Sequence, residues 1–403
     1  MERLLIGSVH WWRHMPKSEL SSARPLSLDI AQRALTPWLA ARLRAPDLRL
    51  LAWRSAGAGN SADTFFATVA GVSEGTAREM PLVVRRQNQG SDIFLDSDLA
   101  LPTRVMAAVG AHPDGAGIPV PRVIGLESDA SLIGAPFMVM EHLPGRILPQ
   151  SPNYNKEGWL ADMPAAAQAR VWRDCLEMLA RIHRLPVAGH FDFLDQPQRG
   201  RTPFDQYLNW IEEWYQWARA GRPHRITDIA IEYLKTNRPR DAQVALLWGD
   251  PQPTNLLFRP DGSVSGVIDW EMAVLGPPEA DLAWWLFFDD LFSRGMGVPR
   301  LAGLPERALC IRWYEAALGR PVQNLAYYDV LAAFRMAIVG MRSADRQIQR
   351  GRIPATTTAR ENAPIVRLLA GLLGEPLPEV GADFANLMAA LGMEASLAKN
   401  ASH

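Results

Sequence analysis

The stretch Leu246–Phe258, LLWGDPQPTNLLF, and the pentapeptide VIDWE at Val267–Glu271 decide how this chain is read. An aspartate, an asparagine five residues on and a second aspartate fourteen beyond that stand among apolar residues. Asp and Asn are poor strand residues, and a carboxylate among apolar side chains is costly without a positive partner. A pair of tight turns or a metal site would account for the pattern. The run NLLFRPDGSVSGVIDW reads as a short hairpin with Asp261-Gly262 at its turn. Such a hairpin returns Asp269 to the end that holds Asp250 and Asn255, gathering three oxygen donors. Hard cations such as Mg²⁺ take oxygen ligands, few of them from protein, with phosphate oxygens and water completing the set. Phosphoryl transfer needs a metal to bridge the phosphates and a carboxylate to orient the attacking hydroxyl. Taken singly, Asp250 and Asn255 read as turn caps. The ordered set, followed by DLAWW from Asp281, reads as chemistry, with Asp250 as base and Asn255 and Asp269 as metal ligands.

Upstream, LRLLAWRS, the Gly-containing turn GAGNSA, the alternating DTFFATVA, a turn around Gly71–Gly75 and PLVVRRQ predict an antiparallel meander. A helix near 98–109 and two further strands, IPVPRVIGL and APFMVMEHLPG, follow. From about Gly145 the period changes. In RVWRDCLEMLARIHRL, Trp172, Leu176, Leu179 and Ile182 share one helical face. The expected fold class is therefore α+β: a small antiparallel-sheet lobe, then a large, mainly helical one. We expect an extension over 1–26, a first lobe over 27–143 opened by an amphipathic helix, and a second lobe over 144–403.

A length of 403 residues is enough for a large core and two lobes. Lys+Arg 42 against Asp+Glu 43 leaves a net charge of −1, so nothing demands nucleic acid or a membrane surface. The apolar run at the start is too short for a signal peptide and carries charges, and no run is long enough to span a membrane. Two distant cysteines, Cys175 and Cys310, argue against a disulfide framework and fit a reducing cytoplasm. Oligomeric state is not legible.

The order Gly249-Asp250, Asn255 and Asp269-Trp270 resembles the aminoglycoside phosphotransferase family, whose fold is similar to that of protein kinases. VMEHLPGR and PVPRVIG are similar to the family's segments before the link between lobes. The branch it looks most like is related to the kinase-like domain of some acyl-CoA dehydrogenases, and the likeness covers roughly Leu48 to Leu286. It implies ATP or GTP with Mg²⁺ as cofactors and a small-molecule hydroxyl as acceptor. Carried over by position, it implies that Gly57, Gly59 and Ser61 lie over the phosphates, where backbone N–H groups cradle anions. The backbone at Glu141 and Leu143 would meet the adenine edge. Strand alternation in LVVR sends Val83 and Arg85 to one face, which fits an apolar contact to the base and a cation to the phosphates.

The chain departs from the family pattern in three places. Trp248 stands where the family usually has His before Gly-Asp. The helix after the third strand usually supplies a Glu to the strand's basic residue; here DSDLALPTRVMAAVG offers Leu101 and Pro102, with only Asp96 and Asp98 upstream. Gln252 replaces a basic residue two positions past Asp250. The last two departures keep a nucleotide-binding pseudokinase as the alternative reading.

For the acceptor, the C-terminal part carries no acidic excess, which a polycationic aminoglycoside would call for. FRMAIVGMRSADRQIQRGR places Arg342, Arg346 and Arg350 at i, i+4, i+8, a basic stripe suited to phosphate or carboxylate, or simply a solvated face. FDQYLNWIEEWYQWARAG lines up Tyr207, Trp210, Ile211 and Trp214 as core, or as an aromatic pocket wall. Trp210, Trp214, Glu271, Arg342 and Arg346 are the candidate acceptor residues, for an anionic or hydroxyacyl-type substrate.

Overall fold

A computed structural model describes residues 26–379 apart from 59–61, 74–75, 89–92, 97 and 151. The extension expected over 1–26 lies outside the described residues except for Leu26. The chain opens with helix α1 (Leu28–Leu43), capped by Ser27, whose side chain accepts from the Ile30 N–H. Strands β1 (Arg49–Ala58), β2 (Ala62–Ser73) and β3 (Thr76–Gln87) form the expected meander. The turn between β2 and β3 is tighter than expected, since pairing runs on to Ser73 and Thr76. Helix α2 (Ala100–Ala111) follows, then β4 (Val123–Glu127) and β5 (Phe137–Glu141). The five strands lie in the order β1-β2-β3-β5-β4, every pair antiparallel. Pro102 falls in the first turn of α2, where a missing N–H costs little, and the Leu101 N–H is taken by Asp98 at 2.9 Å.

Alternation divides this sheet between two cores. Leu82, Val84, Phe137 and Val139 pack on α1 with Leu35, Trp38 and Leu39. Val83, Met138 and Met140 face the other way and join the core of the remaining chain. That second face is the one Arg85 shares with Val83, so the sequence period alone aims Arg85 toward the helical lobe.

The rest is helical around two small ribbons. Helices α3 (Ala165–His183), α4 (Pro203–Arg219) and α5 (Arg225–Thr236) precede β6 (Ala245–Leu247), β7 (Leu256–Phe258), β8 (Val264–Val267) and β9 (Val274–Gly276). Then come α6 (Pro278–Leu291), α7 (Arg307–Leu318), α8 (Leu325–Gln349), α9 (Ala359–Asn362) and α10 (Pro364–Leu373). β7 and β8 are the hairpin expected from the sequence. β6 pairs with β9, Leu246 opposite Leu275, which the sequence did not announce. The link between lobes lies on the β7–β8 hairpin: Arg146 bridges Phe258, and the Ser265 hydroxyl donates to the Pro144 carbonyl at 3.0 Å. Gly145 is the closest point, where a Cβ would stand 2.7 Å from Ser265 Oγ and 2.9 Å from Leu257 Cβ. Among the described residues, no helix is long and apolar enough to cross a membrane.

The face of α3 read from its period is buried throughout: Trp172, Leu176, Leu179 and Ile182 are at most 1 % exposed. Leu176→Ala should lower stability by about 2–5 kcal/mol. Urea unfolding should show this as an earlier midpoint at unchanged slope.

Candidate active site

The loop leaving β6 is held by its backbone before any functional side chain is placed. Gly249 has φ +88, and a Cβ there would stand 2.0 Å from the Met272 carbonyl oxygen. Only glycine tolerates both the conformation and the contact. Asp281, fully buried in α6, accepts from the Trp248 N–H at 2.7 Å and from the Gly249 N–H at 3.2 Å. His183 lies 3.2 Å from the same carboxylate, with the Tyr314 hydroxyl 2.6 Å from its other ring nitrogen. From the opposite side Arg335 of α8, 1 % exposed, donates to the Gly249 carbonyl at 2.8 Å. The Trp248 indole N–H donates to the Ile268 carbonyl at 2.9 Å, tying the loop to the residue before Asp269. A large ring thus supports the loop where the sequence lacks a histidine.

Three N–H donors then fix Asp250. Trp284 donates to Oδ1 at 2.7 Å; Gln252 and Asn255 donate to Oδ2 at 2.7 and 2.8 Å. Burial, and next the charge of Asp269, push the Asp250 carboxyl above its ordinary value, while these donors and Arg335 oppose the shift. Asn255 is fully buried and spends both of its amide bonds on Asp250, the second to the backbone carbonyl at 3.1 Å. Its Oδ1 is buried with no hydrogen-bond partner. A buried acceptor left unpaired costs about 1–3 kcal/mol. An orphan amide oxygen is a donor that a hard cation can take. The residues present fit a hard divalent cation, which Asn255 and Asp269 could hold. Asp269 stands at φ +64 in a buried position, a strained backbone for a non-glycine residue.

On the facing lobe, Arg85 reaches Asp269 Oδ1 and Glu271 Oε2, each at 3.3 Å. Val83 is 9 % exposed on the same face of β3. The neighbouring Arg86 points the other way and is neutralised by Asp63 at 2.6 Å, so of the two arginines only Arg85 serves the site. Glu141 ends β5 with its N–H given to the Arg122 carbonyl, and Leu143 lies in the link. Leu143 comes close to Leu257 across Gly266, where a Cβ would touch both side chains. Leu257 was not singled out from the sequence. The signal was there: Leu256 and Phe258 are buried and the residue between them faces the opposite way. Gly57 pairs with Thr64 beside a register irregularity at the end of β1. Gly59 and Ser61 lie outside the described residues.

A family model, the phosphotransferase enzyme family, matches residues 52–318. The chain belongs to that family. This phosphotransferase is similar to acyl-CoA dehydrogenase family member 10 of Mus musculus, 27 % identical over 317 residues, which cover 75 % of this chain and 27 % of that protein. It is likewise similar to family member 11 of Rattus norvegicus, 28 % identical over 231 residues, 55 % of this chain and 28 % of that protein. The chain thus spans less than a third of the length of these relatives. Among solved structures, one from Ralstonia eutropha JMP134, described as a candidate aminoglycoside phosphotransferase, aligns with a TM-score of 0.63 at 21 % identity, covering 85 % of this chain and 98 % of the other. A thermostable mutant of aminoglycoside phosphotransferase APH(4)-Ia, in ternary complex with ADP and hygromycin B, aligns with a TM-score of 0.50 at 15 % identity, covering 90 % and 99 %. The likeness establishes the kinase-like, two-lobed fold.

The arginine-bearing face of α8 differs from a solvated stripe. Arg342 and Arg346 are largely buried, and only Arg350 at the helix end is exposed. Asp345 gathers Arg222 at 2.8 Å, Arg342 at 3.3 Å and Arg360. Arg342 also covers the Trp217 ring at 4.1 Å. Trp214 is fully buried and donates to the Ile93 carbonyl at 3.0 Å, so it packs the segment after β3 rather than lining an open wall. Trp210 stacks on Trp214 and is only partly buried. Sequence reasoning missed Trp284 and Arg335. A lone arginine inside the apolar run LAAFRMAIVG was their available signal.

Gly249→Ala should cost at least about 2 kcal/mol, combining a left-handed backbone with the carbonyl contact, whereas Gly221→Ala should cost only about 1 kcal/mol. Gly221 shares the positive φ, +76, but has nothing within 4 Å of a Cβ. Equal losses in chemical denaturation would show that backbone conformation alone governs position 249.

Proposed function

We propose that this phosphotransferase moves the γ-phosphoryl group of ATP or GTP, with Mg²⁺, to a hydroxyl of a small molecule. The observation that carries the reading is the orphaned, buried Oδ1 of Asn255, whose amide nitrogen holds Asp250, a carboxylate that in turn feels the charge of Asp269. Mg²⁺, when bound, would be held by Asn255 and Asp269 and would offset the negative charge that develops during transfer. The chain's own residues do the rest. Asp250, locked by Trp284, Gln252 and Asn255, accepts a hydrogen bond from the acceptor hydroxyl, aligns it and takes its proton as the bond to the γ-phosphorus forms. The bond from that phosphorus to the bridging oxygen breaks, and the nucleoside diphosphate leaves. Arg85 and the glycine-containing turn ending in Gly57, Gly59 and Ser61 hold the phosphates. Val83, Leu143 and Leu257 enclose the base, and the backbone of Glu141 and Leu143 reads its edge. The acceptor we favour is anionic or of hydroxyacyl type rather than an aminoglycoside, with Arg342 and Arg346 toward its charged end and Trp210 beside it. The free, buried thiols Cys175 and Cys310 suit a reducing cytoplasm. The second reading, a nucleotide-binding pseudokinase, draws on Gln252: its amide is spent on Asp250 and supplies no positive charge.

Two measurements test the proposal. ATP should raise the melting temperature only with Mg²⁺ or Mn²⁺ present, by the equivalent of about 2.7 kcal/mol at a hundredfold excess over its dissociation constant. Asp269→Ala should abolish that metal-dependent part, and an equal shift with and without metal would remove Asp269 and Asn255 as ligands.

Asp250→Asn should leave the Mg²⁺–ATP shift in place and lower turnover on an identified acceptor by about 10²–10⁴-fold. An asparagine at 250 also offers one acceptor oxygen where three donors converge, so its amide nitrogen must face at least one of them. Acceptors can be found by mass spectrometry of pooled metabolites and hydroxyacyl thioesters for the gain of one phosphate. A wild type that binds Mg²⁺–ATP and phosphorylates nothing in such a screen would favour the pseudokinase.

A further inference from the structure

Helix α2, which follows the strand carrying Arg85, reads ALPTRVMAAVGA and contains no acid. The acid that Arg85 meets comes instead from the other lobe. Its two terminal nitrogens divide: Nη1 is 3.3 Å from Asp269 Oδ1, and Nη2 is 3.3 Å from Glu271 Oε2. The contacts differ in what a nucleotide–metal complex would do to them. Asp269 belongs to the donor set that could hold the metal, and a divalent cation there would compete with the guanidinium for its carboxylate. Glu271 lies two residues on, and its contact with Arg85 can persist.

We propose that Glu271 is the positioning residue of Arg85, the partner from the opposite lobe that keeps the guanidinium on the phosphates once Asp269 has turned to the metal. This rests on the nucleotide-binding reading above. The side chains of Arg85 and Glu271 are 14 % and 16 % exposed, so solvent screens their attraction far less than that of a surface pair. The pairing also gives a reason for arginine at this position. A planar fork addresses two carboxylates with separate nitrogens, whereas an ammonium is a single point charge. Because β3 belongs to one lobe and the loop after β8 to the other, the ion pair is complete only when the lobes are together.

The test is a double-mutant cycle on Mg²⁺–ADP binding by calorimetry, which needs no acceptor. Glu271→Gln and Arg85→Gln should each weaken binding by about tenfold, the scale of one charge-assisted contact. In the Arg85→Gln background, Glu271→Gln should add no more than about twofold, as expected for members of one unit. The Mg²⁺ concentration giving half-maximal ADP binding should stay unchanged in Glu271→Gln. Additive losses would overturn the assignment, and a rise in the Mg²⁺ requirement would make Glu271 a metal ligand instead. Melting curves without nucleotide check that each variant folds; Glu271→Asp, which keeps the charge on a shorter stem, gives a second reading by partial recovery if the amide fails to fold. A wild type that binds no Mg²⁺–ADP would overturn the underlying function. With wild-type binding intact, additivity overturns Glu271 alone.

Discussion

The carboxylate of Asp281 is the contact on which the site depends. It is fully buried, and it is tolerated because two backbone N–H groups of the catalytic loop and the His183 ring meet it. The dependence runs both ways. The loop needs an acceptor for the N–H groups of Trp248 and Gly249, which no strand partner takes, and α6 needs donors for a charge inside an apolar helix. Breaking one side leaves the other unpaired in low dielectric, a loss several times larger than the net worth of an ordinary hydrogen bond. With Arg335 holding the Gly249 carbonyl from α8, the loop is clamped between two helices before Asp250 does any chemistry.

The same clamp sets the character of the base. Arg335 lies 4.1 Å over the ring of Trp284, and the N–H of that ring holds Asp250 Oδ1. Three donors and a nearby cation favour the ionised carboxylate, while burial and the charge of Asp269 oppose it. Burial and Asp269 prevail, since the net shift is upward. A carboxylate kept in place by fixed donors orients a hydroxyl without reorganising, which suits a loose transition state that asks for positioning more than for strong proton abstraction.

Much of this was legible in the sequence, and the parts that were not share a cause. The meander, the change of period near Gly145, the α3 face and the β7–β8 hairpin follow from local periodicity and turn residues. The closeness of Asn255 and Asp250, and of Asp269 to Asp250, was legible because polar residues among apolar ones need a reason. The β6–β9 pairing and the contacts of Trp284 and Arg335 were not, because they join residues distant in sequence. The arginines of α8 were misjudged for a related reason. A three-to-four-residue spacing predicts a shared face but not whether the face is solvated, and here Arg222 and Arg360 arrive from other elements to meet Asp345. Trp214 likewise satisfied the helical period, while the Ile93 carbonyl that claims its N–H comes from the segment after β3.

Helix α8 then ties the base to the acceptor question. Arg335, Arg342 and Arg346 are separated by seven and eleven residues, which returns all three to nearly the same side of one helix. At 1.5 Å per residue they lie about 10 and 16 Å apart along its axis. Arg335 is committed to the carbonyl of Gly249, the residue before Asp250. An acceptor that placed its hydroxyl at Asp250 and an anionic end on the Asp345 arginine group would therefore have to be extended rather than compact. The partial neutralisation of that group by Asp345 argues for a delocalised or multiply charged anion, since a single carboxylate would gain little over the one already there. For the acceptor proposed above, length and charge together would then call for a chain with its hydroxyl far from its anionic end.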